Sequence, residues 1–150
     1  MTQFSNSFIQ GKEKGEISLL ELRNSINCII SSAETATLTP ATAVKLKDEA
    51  GAQIVVEKVT SASADVFFGF IPYEIRTNEH VALDQIKVVG NEEVMIMEAA
   101  GAVARGATIE YIIASNKVQG ITTGKKIGIA LDKATADGDL IRVQIQGMGL

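Results

Sequence analysis

The chain has 150 residues, the length of one ordinary folded domain, and 46% of them are hydrophobic while 21% are charged. Its net charge is −4, from 14 Lys and Arg against 18 Asp and Glu, so general nucleic-acid binding, which needs a concentrated positive field, is not expected. Cys28 is the only cysteine, which excludes an intrachain disulfide and a cysteine-based metal site, and no run approaches the roughly 20 apolar residues of a membrane helix.

The first predicted element is an N-terminal arm over residues 1–25, which differs from the rest of the chain. The stretch MTQFSNSFIQGKEKGE is polar, contains Gly11 and Gly15, and has no clean periodicity. In ISLLELRNS, Ser18 followed by Glu21 has the spacing of a capping box, which predicts one short helix of about two turns. The arm lacks the basic start and apolar run of a signal peptide, so we expect synthesis in the cytoplasm.

From residue 26 onward the pattern is typical of short β-strands, and we predict one β-barrel domain over residues 26–150. Apolar and polar residues alternate in three segments, AVKLK (43–47), TIEYI (108–112) and LIRVQIQ (140–146). Three further β-prone runs lie between turn signals, namely QIVVEKV (53–59), VFFGFI (66–71) and EEVMIME (92–98). The predicted fold class is all-β, a small pseudo-symmetric β-barrel or tulip-like domain with an extended N-terminal arm and at most one short helix.

Two segments recur along the chain, which indicates two related β units. PATAVKL resembles RGATIEY, so that Val44 corresponds to Ile109. Downstream, GFIPYEIRTNEHVAL, which begins at Gly69, resembles GIALDKATADGDLIR, which begins at Gly128. The first copy is six residues longer between these segments, which we interpret as a longer hairpin. Two copies are too few for a solenoid, so we expect a pseudo-symmetric barrel made from the two units.

No group of residues in the sequence has the composition and spacing of a catalytic, cofactor-binding or metal site. His80 is the only histidine, and the alignment of the two copies places it opposite Asp139, at the entry to a strand. GITTGKK lacks the spacing and the hydroxyl residue of a phosphate-binding loop. Asp132, Asp137 and Asp139 do not have calcium-loop spacing, so they are predicted to lie in a turn between two strands. Lys133 in LDKA resembles a lipoyl lysine, but too short a chain follows it to complete that fold.

The order of motifs from residue 38 onward resembles that of bacteriophage head decoration proteins, also called capsid cement proteins. The segments that carry the resemblance are LTPATAVKLKD, DVFFGFI, MEAAGAVARGATIEYI and KIGIALDKATADGDLIRVQI. They contain a proline or glycine before an apolar strand, a strand in which glycine precedes an apolar residue, and an Ala-rich turn ending in Asp-Gly before the final strand. The resemblance covers residues 38–146 and does not extend to the arm.

The resemblance implies a structural protein of the virion with no enzymatic activity. Such proteins bind the outer surface of an assembled icosahedral capsid, often as homotrimers, and join neighbouring subunits of the major capsid protein against internal DNA pressure. On this interpretation the chain has no cofactor, no nucleic-acid partner and no membrane partner, and it is located on the capsid. The alternative is a carbohydrate- or receptor-binding module on a phage tail or head, for which a sugar site requires exposed aromatic residues.

Six apolar side chains of the arm are predicted to contact the capsid or a sister subunit. They are Phe4, Phe8, Ile9, Leu19, Leu20 and Leu22. An arm of this kind can add a strand to the sheet edge of a partner or lie in a groove. The alternative is that the same side chains cover the barrel core of their own chain. Ordering the arm costs conformational entropy, so we expect it to order on the shell or in the trimer.

Overall fold

The computed structural model describes residues 13–16, 25–51, 53–62, 64–74 and 77–148. Within these residues the chain forms ten β-strands and no helix, so the predicted all-β fold class is confirmed. The strands are β1 (Ser25–Ile30), β2 (Ala43–Leu46), β3 (Val55–Lys58), β4 (Gly69–Phe70), β5 (Gln85–Val89), β6 (Val94–Glu98), β7 (Thr108–Ile112), β8 (Lys117–Gly120), β9 (Lys126–Ala130) and β10 (Leu140–Ile145). The predicted helix at Ser18 and Glu21 lies outside the described residues. No helix in the described part of the chain is long and apolar enough to cross a membrane.

Strands β1 to β5, which we call the first unit, form a closed barrel. The strand order is β1-β3-β2-β4-β5, and β5 pairs again with β1. The pairing of β1 with β3 is parallel, whereas the other pairs are antiparallel. Because successive side chains of a strand alternate between faces, one set from each strand points into the barrel and forms an aliphatic interior. This interior contains Cys28, Ile30, Leu38, Val44, Val56, Ile71, Ile86 and Val88.

Strands β6 to β10, the second unit, repeat the same arrangement with the order β6-β10-β9-β7-β8. A parallel bridge between Ala99 and Val118 joins the two edge strands of this sheet, as the parallel pair Ile30–Val56 closes the first barrel. The Ser31 amide donates to the Val56 carbonyl at 2.9 Å in the first unit, and the Ala100 amide donates to the Val118 carbonyl at 2.8 Å in the second. The two units therefore share strand order and strand direction, and a single bridge joins the edges of the second sheet where strand pairing closes the first barrel.

The register of the strands agrees with the correspondence that the sequence alignment predicts. Val44 pairs with Gly69 across β2 and β4, and Ile109 pairs with Gly128 across β7 and β9. At both glycines a Cβ atom would overlap the backbone of the adjacent strand, which is β5 beside Gly69 and β10 beside Gly128. Glycine is thus required twice at one position of the unit, because the neighbouring backbone approaches too closely for a side chain.

The strands of each unit pair only with one another, so the two units do not supply halves of one barrel. Five short strands already surround a filled interior, and similarity between two copies does not specify whether they pair with each other.

The extra length of the first copy is divided between two loops. Val56 follows its partner Leu46 by 10 residues, whereas Val118 follows its partner Tyr111 by 7. The remaining three extra residues lie between β3 and β4.

One detail of the predicted alignment is different in the structure. Leu38 forms an antiparallel bridge with His80, and Val103, its counterpart, forms the same bridge with Ala134. His80 therefore corresponds to Ala134 and not to Asp139. The mismatch arises because the chain from β4 to this bridge is longer in the first copy, with 11 residues from Gly69 to His80 against 6 from Gly128 to Ala134.

The two units pack together through the outer face of the first unit and one end of the second. The ring of Tyr111 lies edge-on to Phe67 and Phe70, with centroid distances of 6.0 and 5.5 Å. First-unit residues of the shared core are Ala41, Ala43, Val59, Phe67, Phe70 and Val89. The second unit contributes its own barrel interior together with Met95, Tyr111, Ile145 and Met148. The units are therefore joined by a continuous apolar core, which makes their relative position specific.

Candidate interaction surface

The described part of the N-terminal arm, residues 13–16, is hydrogen-bonded to both units. The Gly15 amide donates to the Ile96 carbonyl and the Ile96 amide donates to the Glu16 carbonyl, each at 2.7 Å, while the Tyr73 amide donates to the Gly15 carbonyl at 2.9 Å. Gly15 has a φ of 84°, and a Cβ atom there would lie 2.5 Å from the Cβ of Pro40, so glycine is needed. This segment of the predicted arm is therefore attached to its own chain.

The six predicted arm contacts lie outside the described residues. They are Phe4, Phe8, Ile9, Leu19, Leu20 and Leu22. Their role stays a prediction, whereas the attachment of residues 13–16 beside β6 is a described feature of the fold.

An apolar cavity of about 250 Å³ lies on the outer surface of the first barrel. Ile29 and Val55, which are paired neighbours on β1 and β3, line it together with Leu83 and residues 49–51. Leu83 is 62% exposed and has a φ of 71°. A leucine seldom adopts this left-handed conformation, and such strain concentrates at functional positions. The cavity is therefore a candidate contact site.

The same position of the second unit carries charges instead of apolar side chains. Glu98 takes the place of Ile29, and its Oε1 lies 3.1 Å from Nζ of Lys117. Lys117 also contacts Asp137 at 2.7 Å, and Lys14 contacts Glu98 at 3.6 Å. The hydrogen bond to Asp137 raises the pKa of Lys117, whereas burial lowers the pKa of Lys14. The exposed apolar cavity is thus a property of the first unit. The sequence comparison does not reveal it, because Ile29 and Glu98 lie outside the two aligned segments and correspond only through the strand register.

A second, more polar cavity of about 560 Å³ adjoins the apolar one, and Gln53 lines both. Asn27, Glu74 and Lys87 bring hydrogen-bonding and charged groups to its walls. Cys28 also lies in the wall, but its side chain points to the barrel interior, and burial raises the pKa of its thiol to about 11. A thiol that stays protonated at neutral pH is a poor nucleophile, so this cavity does not have the chemistry of a cysteine active site.

Of the side chains considered for chemistry, His80 is buried, the three aspartates are hydrogen-bonded, and Lys133 is exposed. Nε2 of His80, a buried residue of the first barrel, has no hydrogen-bond partner in the described part of the chain. The Arg142 guanidinium donates to Asp132 at 2.7 and 2.8 Å, which lowers the pKa of that carboxyl. Asp139 accepts hydrogen bonds from turn amides, and Asp137 binds a lysine. These aspartates lie in the turn between β9 and β10, as predicted.

Neither a metal site nor an aromatic platform is found among residues 13–16, 25–51, 53–62, 64–74 and 77–148. They contain no group of three or more His, Cys, Asp and Glu residues that could hold a metal ion. Phe67, Phe70 and Tyr111 are buried, and Phe68 and Tyr73 are half-buried. Carbohydrate recognition commonly uses an aromatic face open to solvent, so the barrels do not favour the alternative of a sugar-binding module.

Comparison with known proteins identifies a similar fold. No protein-family model and no curated protein matches the chain. A solved structure of the head fiber gp8.5 N base in bacteriophage phi29 is similar to it, with a TM-score of 0.52 and 12% sequence identity. The match covers 85% of this chain and 97% of the phi29 chain. At this level of identity the similarity shows a common fold.

Proposed function

We propose that this chain is a non-enzymatic structural protein of a bacteriophage virion that binds the outer surface of the assembled head. The observation that carries the proposal is the fold shared with the head fiber base of phage phi29, which extends over 97% of that chain. The motifs from residue 38 onward, which resemble those of head decoration proteins, support the same location. The partner in this proposal is the major capsid protein.

The contact with the capsid is formed by the side of the first unit that carries the two adjoining cavities. Ile29 and Leu83 supply apolar surface, while Asn27, Gln53 and Lys87 supply hydrogen-bonding groups around it. An apolar centre with a polar rim is the usual composition of a protein–protein contact. The second unit has an ion-pair network at the corresponding position, so it contributes less to this contact.

The arm supplies a second contact and allows one chain to join two capsid subunits. Its apolar side chains, Phe4, Phe8, Ile9, Leu19, Leu20 and Leu22, bind a neighbouring capsid subunit or a sister molecule. The attachment of residues 13–16 to β6 gives the arm a defined origin on the folded body. Assembly as a homotrimer multiplies these contacts, and multivalent binding retains a protein far longer than one contact does. The chain in this way cements the shell against internal DNA pressure.

The proposal is tested on DNA-filled heads from a phage that lacks the gene for this chain. Purified chain is added, and bound chain is measured per major capsid protein subunit. We expect saturable, stoichiometric binding to the head and retention of DNA at higher temperature than in undecorated heads. Absence of binding to heads, or binding to tails alone, would contradict the proposal. Unchanged DNA retention by fully decorated heads would contradict cementing.

A matched pair of variants tests the contact surface in the same assay. Leu83→Lys places a charge at the apolar cavity and is expected to weaken head binding at least tenfold. Val66→Lys is the control, because Val66 is 64% exposed and lies outside both cavities. Equal binding of the two variants would show that the cavity is not the contact.

A further inference from the structure

Three apolar side chains stand exposed at one end of the first barrel. Ile26, Leu46 and Ile54 are 42%, 56% and 41% exposed. Ile26, Leu46 and Ile54 each lie two residues from an interior residue of the same segment, namely Cys28, Val44 and Val56. Because side chains alternate along a strand, all three are on the inward-facing side of the adjacent strands β1, β2 and β3. We call these three residues the open rim.

In the second unit two of the three rim positions are buried, while the counterpart of Ile54 is the half-buried Asn116. Met95 and Tyr111 occupy the positions of Ile26 and Leu46, and they are 0% and 5% exposed. They are covered by the outer face of the first unit, because Tyr111 packs on Phe70 and both belong to the core that contains Ala43. The fold thus contains one complete contact between the rim of one unit and the outer face of another.

The outer face that forms this contact also has a counterpart in the second unit, and there it is not fully covered. Thr108, Ile129 and Gln144 take the places of Ala43, Phe70 and Val89, as the strand registers show. All three are half-buried. Ile121 follows β8 as Val59 follows β3, and it is 43% exposed whereas Val59 is 1% exposed. We call Thr108, Ile121, Ile129 and Gln144 the free outer face.

We infer that the open rim of one molecule binds the free outer face of the second unit of another molecule of this chain. The contact between the two units within one chain is the pattern for this contact between chains. It is heterologous, since different surfaces meet, and repeated contacts of this type form a closed ring when the rotation permits. The rim is small compared with permanent interfaces, so the association is expected to depend on concentration. It does not require the proposed capsid binding, and the two surfaces share Ile54, which also lines the polar cavity.

The inference is tested by the mass of the full-length chain in solution over a dilution series. The double variant Leu46→Gln with Ile54→Gln removes the rim, and Ile121→Gln alters the free outer face. We expect the wild-type chain to form oligomers, and each variant alone to shift to the monomer mass of 15.9 kDa. An equimolar mixture of the two variants retains one intact contact per pair, so it is expected to give a dimer and nothing larger.

Val81→Gln is the matched control, because Val81 is 51% exposed and lies beside the Leu38–His80 bridge, away from the rim. Denaturant unfolding of each variant verifies that it is folded, and Leu46→Ala replaces the double variant if that variant is not. The inference is overturned by a wild-type chain that is monomeric at every concentration. It is also overturned if the rim variant loses association while Ile121→Gln does not. If both rim variants are less stable than the wild type and the mass in solution does not change, the rim is covered by its own chain, and this also overturns the inference.

Discussion

The amide of Ala43 donates a hydrogen bond of 3.3 Å to the hydroxyl of Tyr111, and this bond joins the first unit to the second. The same hydroxyl donates to Oδ1 of Asn116 at 2.6 Å, while the ring packs edge-on to Phe70. In the first unit the corresponding residue is Leu46, which is 56% exposed. One position of the repeated unit is therefore an internal joint in the second copy and free surface in the first.

Tyr111→Phe is expected to destabilise the fold by about 1–2 kcal/mol, because it leaves the buried Ala43 amide without its acceptor while the ring packing is kept. Equilibrium urea unfolding measures the difference. Tyr73→Phe is the control, since Tyr73 is half-buried and outside the shared core. If Tyr111→Phe unfolds at the same urea concentration as the wild type, the hydrogen bond does not stabilise the joint.

Gly69→Ala and Gly128→Ala are each expected to destabilise the chain by about 1–3 kcal/mol, because the added methyl overlaps the backbone of β5 or β10. Gly120→Ala is the matched control, as it also lies in a strand but has open space around its Cβ position. Thermal unfolding of the three variants checks this prediction. If all three variants lose a similar amount of stability, the cause is the conformation that alanine prefers in a strand and not overlap with the neighbouring backbone.

The repeat could be predicted from the sequence because its most constrained positions are retained in both copies. Val44 and Gly69, and likewise Ile109 and Gly128, are direct neighbours across the sheet, so packing restricts both members of each pair. The alternating pattern of QIKVV, the segment of β5, was also available and could have identified that strand. The pairing of strands within each unit and not between the units could not be predicted, because it depends on contacts between distant segments.

The end of each unit was misaligned because the loop after β4 is longer than the loop after β9, and because the turn they share is built from different residues. The Asp84 carboxylate accepts a hydrogen bond of 2.9 Å from the Val81 amide, and the Asp139 carboxylate accepts one of 2.8 Å from the Thr135 amide. The residue before each aspartate is left-handed, but it is Leu83 in the first unit and Gly138 in the second, with φ values of 71° and 94°. Glycine marks such a turn in a sequence and leucine does not. The turn beside the apolar cavity was therefore not recognisable.

The candidate contact surfaces could not be predicted, because exposure depends on how the two units pack. Leu46 and Tyr111 are both apolar residues at the same position of a strand, and an alternation pattern treats them alike. Only the placement of the first unit over Tyr111 separates a buried residue from an exposed one.

Glu110 is expected to make the stability of the second unit depend on acid pH. Burial opposes its charge, but hydrogen bonds from Gln119, Thr122 and Gly124 outweigh it and lower its pKa from 4.5 to about 2. A carboxyl with a lowered pKa in the folded state contributes stability above about pH 4.5, and this contribution is lost as the pH falls towards 2.

Glu110→Gln should therefore lower the free energy of unfolding by about 1–3 kcal/mol near neutral pH, with a difference from the wild type that narrows below about pH 4.5. Urea unfolding at a series of pH values measures this difference. Glu79→Gln, at an exposed position, is the control and is expected to have little effect. If the difference stays constant from neutral to acid pH, the stability of the segment between β8 and β9 does not depend on the ionised Glu110 carboxylate.

Removal of residues 1–12 is expected to leave the unfolding free energy unchanged and to weaken head binding, because the attached residues 13–16 are retained. The combined variant Phe4→Ser, Phe8→Ser and Ile9→Ser should weaken binding similarly, since it removes the predicted apolar contacts without shortening the chain. Binding to heads is measured together with urea unfolding. Unchanged binding by both variants would contradict a role for this part of the arm.

Cryo-electron microscopy of heads to which the chain has been added back gives the sharpest test of whether this chain binds the outside of a phage head. We expect ordered density for both units on the outer surface, with the apolar cavity of Ile29, Val55 and Leu83 against one major capsid protein subunit and the arm on a neighbour. Heads without added density, or density confined to the tail, would contradict it.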